Sequence, residues 1–314
     1  MKRKSIIISI SSYRLTKKEE ELISSQKPWG IILFKRNVKN MDQLKELTSR
    51  IRFLMKDPYY PIMIDEEGGR VSRLSGIVDI SNFPQNLFGK LFEKNKLLGI
   101  NSYNEYLHFI CQILKESGIN INTIPVLDLR RSFSHNIIGD RAYSNNEKII
   151  NQIGNISINL LHQNRIGSVI KHIPGHGLSK KDSHFKLPYI NNKLKFLEKK
   201  DFSIFKDKNS LFAMTAHIVF KSIDKINCIT HSKTGIKYIR NNIGFKNIII
   251  SDDISMKALK YSFTENVQKA YEAGCNLVLH CNSNLSEMNK LASIAPKVNH
   301  FIVKKTSEFY KLLS

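Results

Sequence analysis

The sequence predicts an α/β fold, a single (β/α)8 TIM-type barrel, from three observations. Eight short apolar runs recur along the chain, with helical patterns between them. Ionisable residues gather at one end of those runs, the C-terminal end. The 314 residues, 41% of them hydrophobic, contain no linker, internal repeat or low-complexity tract, and a barrel can use such a length as one domain.

The first run, Ser5 to Ile10, follows Met1-Lys2-Arg3-Lys4 and so imitates a signal peptide. Its apolar part is too short for one, and Tyr13-Arg14 stand where small residues belong, so it reads as a first strand. A helical pattern over Thr16 to Ser25 leads to the second run, Gly30 to Phe34. Met41 to Met55 is the next helix, and Asp42-Gln43-Leu44-Lys45-Glu46-Leu47 within it has amphipathic spacing. Pro61 to Asp65 is the third run. A long helical stretch ends near Ser117, where Gly118 suits a C-terminal cap, and Ile119 to Leu127 is the fourth run. Asn145 to Asn164 is helical and precedes the fifth run, Ser168 to His172. Leu194 to Ser210 is weakly patterned, and Leu211 to Ala216 follows as the sixth run. Gly244 marks another helix end before the seventh run, Asn247 to Asp252, and Asn276 to His280 is the eighth.

The polar residues fall on one rim of this barrel. Asp65 ends the third run, Asp128 follows the fourth, and Lys171 and His172 end the fifth. His217 follows the sixth, Asp252 and Asp253 end the seventh, and His280 ends the eighth. In eight-fold barrels the C-terminal strand ends form the active-site face.

Composition narrows the function classes. No apolar run approaches twenty residues, so no membrane span is expected. Cys111, Cys228, Cys275 and Cys281 have no framework spacing, which fits a reducing cytoplasm, and Cys275 and Cys281 read as core thiols. The formal net charge is +22, but the lysines are scattered rather than clustered. They read as a solvated surface, with no nucleic-acid partner; the rival reading is a basic, non-catalytic barrel that binds a polyanion.

Four stretches carry chemistry. Ile64-Asp65-Glu66-Glu67-Gly68-Gly69-Arg70-Val71-Ser72-Arg73 joins acids, a glycine turn and arginines. Asp65 there can accept from sugar hydroxyls, or belong to a salt-bridged turn. In Ile138-Gly139-Asp140-Arg141-Ala142-Tyr143-Ser144, Arg141 either pairs with Asp140 or reaches a substrate, and Asp128 is placed to orient it. Lys171-His172-Ile173-Pro174-Gly175-His176-Gly177 runs on to Asp182-Ser183-His184. Pro174 and Gly175 remove the helix that would align His172 with His176, so no metal or other cofactor is expected. Ile249-Ile250-Ser251-Asp252-Asp253-Ile254-Ser255-Met256 sets two carboxylates at a strand end. Side chains alternate along a strand, so one can face the barrel mouth while the other is tied up locally.

Together these motifs resemble the β-N-acetylglucosaminidases of glycoside hydrolase family 3. They keep the family's order across roughly residues 60 to 260, and each is weak alone. The resemblance implies one catalytic barrel over residues 1–314 without a second domain. It implies Asp252 as nucleophile and His184 as general acid/base, paired with Asp182. Asp65, Arg73, Arg141, Lys171 and His172 would hold the terminal N-acetylglucosamine. The implied substrate is a carbohydrate, the GlcNAc-anhydro-muropeptides of cytoplasmic peptidoglycan recycling, acted on by a monomer. Other family 3 exo-β-glycosidases, such as β-glucosidases, share the motifs. The chain departs from the family in having Glu66 where Gln is frequent, Lys180 and Lys181 in the histidine loop, and Thr215 where proline is common.

Overall fold

Among the described residues, 2–132, 138–179 and 186–314 of a computed structural model, eight parallel strands close into a barrel in chain order. They are β1 (Lys4–Ser9), β2 (Pro28–Leu33), β3 (Ile62–Ile64), β4 (Ile121–Asn122), β5 (Gly167–Ile173), β6 (Phe212–Thr215), β7 (Ile248–Asp253) and β8 (Leu277–His280). Closure is made by β8 against β1, with Ile7 opposite Leu279. Each strand falls within one of the eight apolar runs or overlaps it closely. Parallel strands covered on both faces have no polar side to show, so they read as continuous apolar runs.

The side chains sort by strand face. Ile7, Trp29, Ile32, Met63, Ile121, Val169, Phe212, Ile248 and Leu277 form one buried cluster with contributions from every strand, which places it inside the barrel. Ile6 and Ile8, flanking Ile7, belong instead to the cluster under the helices. Trp29 and Phe212 lie near the N-terminal strand ends, and the final helix closes that mouth. Its Phe309 meets the Phe212 ring edge-on at 5.5 Å, and Trp29 Nε1 donates to Thr306 Oγ1 at 2.9 Å. Burying side chains of this size contributes about 1.5–3 kcal/mol each. The opposite, C-terminal mouth is left for chemistry.

The helices are α1 (Lys17–Gln26), α2 (Met41–Met55), α3 (Gln85–Lys94), α4 (Lys96–Glu116), α5 (Glu147–Gln163), α6 (Leu194–Lys199), α7 (Lys233–Tyr238), α8 (Phe263–Ala273), α9 (Leu285–Ile294) and α10 (His300–Leu313). Local signals set their ends. Thr16 with Glu19 and Ser262 with Glu265 form capping boxes at the starts of α1 and α8. Gly118 follows α4 and Gly244 ends the turn after α7, both at positive φ.

Three features differ from the sequence expectation. The fourth run yields only a two-residue strand; beyond it Ile124, Pro125 and Leu127 keep separate hydrogen bonds to β5, and Val126 forms an isolated bridge with Lys171. The long helical stretch is two helices, α3 and α4, broken at Asn95, whose side chain caps α4 by accepting from Leu98 N. The weakly patterned 194–210 segment, in keeping with the sequence, holds only the short α6 and a 3-10 turn, Phe202–Phe205. A small two-stranded sheet, Tyr189–Ile190 beside Val219–Phe220, was not anticipated.

Candidate active site

The C-terminal ends of β3, β5, β6, β7 and β8 border one cleft of about 680 Å³, its open mouth included. Asp65, Arg73, Arg141, Lys171, His172, His176, Asp252 and Asp253 line it, with Ile32, Phe34, Met214, Met256, Leu279 and Cys281 as the less polar wall. Among the expected residues it therefore brings together Asp65, Arg73, Arg141, Lys171, His172 and Asp252. Asp182 and His184 lie outside the described residues.

One wall is a network of alternating charge. Lys171, 2% exposed at its side chain, reaches from β5 to donate to Asp65 Oδ1 and Glu67 Oε1, each at 2.6 Å. Its third contact is Thr123 Oγ1 at 2.9 Å, and Thr123 in turn donates to Asp65 Oδ1 at 2.5 Å. Arg73 reaches Asp65 Oδ2 at 2.7 Å. Arg141 takes Glu67 in a two-pronged pair, with both contacts at 2.7 Å. Burial works against charge on Asp65, but Lys171 and Arg73 hold its carboxyl well below the usual range. Glu67 shows the same balance: burial raises it, and Arg141 and Lys171 bring it below its ordinary value. The wall thus presents a fixed set of acceptors and cationic donors at neutral pH.

The second wall is built on Asp128. This buried carboxylate accepts from His176 N at 2.7 Å and His172 N at 3.3 Å through Oδ1, while Oδ2 holds His172 Nδ1 at 2.6 Å. With Nδ1 so engaged, Nε2 is the imidazole nitrogen left to meet a ligand. Burial and the neighbouring His172 push His176 down to about 4. Asp128 therefore orients a histidine. The expected service to Arg141 is not through hydrogen bonds: burial works against that arginine's charge and Glu67 raises its pKa, with Asp65 and Asp128 adding smaller contributions. The local Asp140–Arg141 pairing is corrected too: Asp140 binds Arg70 Nε at 2.6 Å, and Arg141 turns inward to Glu67.

At the end of β7 the two carboxylates have separate surroundings. Asp253 accepts from Ser255 N at 3.1 Å, Ser255 Oγ at 2.8 Å and Cys281 N at 3.1 Å, and its carbonyl is 3.0 Å from His217 Nε2. Asp252 is half-buried on the cleft, where its Oδ1 accepts from Asp253 N at 2.8 Å and its own N–H meets Thr215 Oγ1 at 3.3 Å. His217 is a strut, spanning Thr230 Oγ1 at 2.7 Å and the Asp253 carbonyl. His280 pairs with Glu287 at 2.9 Å and is fully buried. Cys275 is a core thiol as expected, whereas Cys281 is half-buried and borders the cleft. Thr123 was missed from the sequence. A lone threonine carries no motif, and only its place after β4, between Asp65 and Lys171, marks it. Among the described residues no three His, Cys, Asp or Glu side chains are grouped to hold a metal ion.

The model of the glycosyl hydrolase family 3 N-terminal domain matches residues 4–304. This chain belongs to glycosyl hydrolase family 3. Within the family, a β-hexosaminidase of Nitrosomonas eutropha is 31% identical over 295 residues, 92% of this chain and 84% of that protein. The fold matches NagZ from Neisseria gonorrhoeae, in a crystal structure with N-trifluoroacetyl-D-glucosamine, at a TM-score of 0.89 and 28% identity, covering 98% of this chain and 90% of that one. A further crystal structure of the gonococcal protein contains a zinc ion and matches at a TM-score of 0.87, with the same identity and coverage.

Proposed function

We propose that this family 3 barrel is an exo-acting, retaining β-N-acetylglucosaminidase that removes terminal non-reducing N-acetylglucosamine from peptidoglycan fragments. The GlcNAc-anhydro-muropeptides of cytoplasmic cell-wall recycling are the substrates this reading assigns. The observation that carries it is the convergence of Asp65, Arg73, Arg141, Lys171 and His172 on the cleft that Asp252 also lines. A terminal sugar presents hydroxyls that both donate and accept. The cleft offers a carboxylate acceptor in Asp65 and guanidinium donors in Arg73 and Arg141, each already held by ion pairs, and Lys171 sets the positive charge behind Asp65. The β-hexosaminidase relative and the glucosamine derivative bound by the gonococcal protein support N-acetylglucosamine as that sugar.

In the proposed reaction Asp252 attacks the anomeric carbon while His184 gives its proton to the leaving oxygen. The bond to the leaving sugar breaks and a covalent glycosyl-enzyme forms. His184 then takes a proton from water, whose oxygen displaces Asp252, and the configuration is retained. Asp182 would stabilise the imidazolium. The roles of His184 and Asp182 rest on the family resemblance.

An aryl β-N-acetylglucosaminide should be hydrolysed and the corresponding aryl glucoside should not. Preference for the glucoside would make this another family 3 exo-β-glycosidase. His184→Ala should slow cleavage of a natural disaccharide far more than cleavage of the aryl substrate, because only the poor leaving group needs the proton. Equal losses on both would remove His184 as the acid.

A further inference from the structure

The loop that delivers Arg73 to the cleft is folded around one buried carboxylate that no part of the proposed reaction uses. Glu66 is 1% exposed. Its Oε1 accepts from Gly68 N at 2.7 Å; its Oε2 accepts from Arg73 N at 2.6 Å, Leu74 N at 3.0 Å and, at 3.4 Å, Ser72 Oγ. Both ends of the 66–74 segment are therefore tied to a single side chain. Between them a tight turn closes through Glu67 N to Val71 O and Val71 N to Gly68 O. The turn leaves little room: a Cβ on Gly68, at a φ of +80°, would meet the Phe83 carbonyl at 2.5 Å. The outcome is the Arg73 guanidinium 2.7 Å from Asp65 on the cleft wall.

We propose that Glu66 is a positioning residue whose ionised carboxylate places Arg73 against Asp65, so that sugar binding is coupled to deprotonation of this one side chain. The proposal rests on the reading of the cleft as a sugar site. A carboxylate is an acceptor at both oxygens, which suits the three N–H groups and the hydroxyl aimed at it. Protonation makes one oxygen a donor where donors already point, and the main-chain hold on Arg73 loosens. The other groups that face Glu66 are few. Arg73 comes from the same loop, the Tyr106 phenol comes from α4, and Asn122 at the end of β4 accepts the Glu66 N–H at 3.2 Å. The flanking carboxylates are turned away, Asp65 to Lys171 and Glu67 to Arg141. Burial pushes the Glu66 carboxyl up to about 7, and the main-chain donors with Arg73 keep it from rising further. The bracing form is thus present above about pH 7 and lost as pH falls through it. A sugar gripped by Arg73 favours the ionised form, so its binding near this pH releases a proton.

The test is calorimetric titration of N-acetylglucosamine into the wild-type protein and into Glu66→Gln near pH 7, each in two buffers of different ionisation enthalpy. KM and kcat for the aryl glycoside are measured alongside, from well below to well above pH 7. The wild type should release protons on binding, and its KM should rise by up to about tenfold per pH unit below the midpoint, while kcat changes far less. Glutamine does not titrate, so Glu66→Gln should release fewer protons and lose the KM step. A variant that releases as many protons as wild type, or keeps the step at the same midpoint, would overturn the proposal. So would a wild type whose affinity is flat across pH 7. Proton-linked sugar binding without aryl hydrolysis would sink the proposed activity and leave this coupling standing; hydrolysis with indistinguishable wild-type and variant linkage would do the reverse.

Discussion

Asp252→Ala is expected to lower kcat by more than about a hundredfold and leave the fold intact, because losing a covalent nucleophile costs several kcal/mol of barrier. The fold should survive for a local reason. The Asp252 carboxylate is half-buried on the cleft rather than packed in the core, and its bonds include local ones, to its neighbour Asp253 N and, through its own N–H, to Thr215. The packing of β7 is carried by Ile248 and Ile250 inside the barrel, which the substitution does not touch. Thermal unfolding should therefore match wild type closely while turnover collapses. Asp253→Ala should show the opposite emphasis. Its carboxylate ties Ser255 and Cys281 N, so β7 and β8 lose a shared brace. A kcat for Asp252→Ala above about a hundredth of wild type would remove Asp252 as the nucleophile.

Lys171→Met is expected to cost stability as well as sugar affinity. Methionine matches the stem, but two carboxylates lose the ammonium between them, and Glu67 is fully buried. Breaking a buried ion pair by removing one partner costs about 3–5 kcal/mol. Asp65 retains Arg73 and Thr123, and Glu67 retains Arg141, so the lower part of that range applies. The sign with pH follows from the two carboxyls. In wild type both are held below their ordinary values, which contributes stability that is present above the unfolded-state pKa and lost in acid. Without Lys171 burial and mutual repulsion raise them, so the variant's deficit is largest near neutrality and shrinks as pH falls and a proton replaces the missing charge. Urea unfolding near pH 7 and near pH 5 reads this directly. Equal stability of variant and wild type at neutral pH would show that Lys171 does not balance the pair.

Much of the scaffold was legible because barrel strands carry their burial in the sequence. Runs such as Ser168–His172 and Asn247–Asp252 stand out by their apolar centres, and the polar residues that end them mark the rim. Helix α2 was legible to its ends, since Asn40 caps its start and an amphipathic stripe fills its length. What was lost depends on tertiary approach. Glu67 meets Arg141 across 74 positions and Asp65 meets Lys171 across 106, so neither pairing has a local signal. Asp128 was assigned to an arginine on sequence order alone, whereas the course of β5 brings His172 to it. Glu66 stands out in the sequence only as a departure from the family's Gln, because its partners are main-chain amides, which leave no trace in side-chain spacing.

In the proposed reaction a carboxylate oxygen of Asp252 bonds the anomeric carbon, and trapping that covalent glycosyl-enzyme tests it directly. A fluorinated N-acetylglucosamine-type inactivator with a good aryl leaving group slows both steps but departs readily in the first, so the intermediate accumulates. After incubation, digestion and peptide mass spectrometry, a single glycosyl adduct is expected on the peptide containing Ile249 to Met256, with fragmentation placing it on Asp252. An adduct on Asp253, or full inactivation with no adduct on either carboxylate, would contradict it.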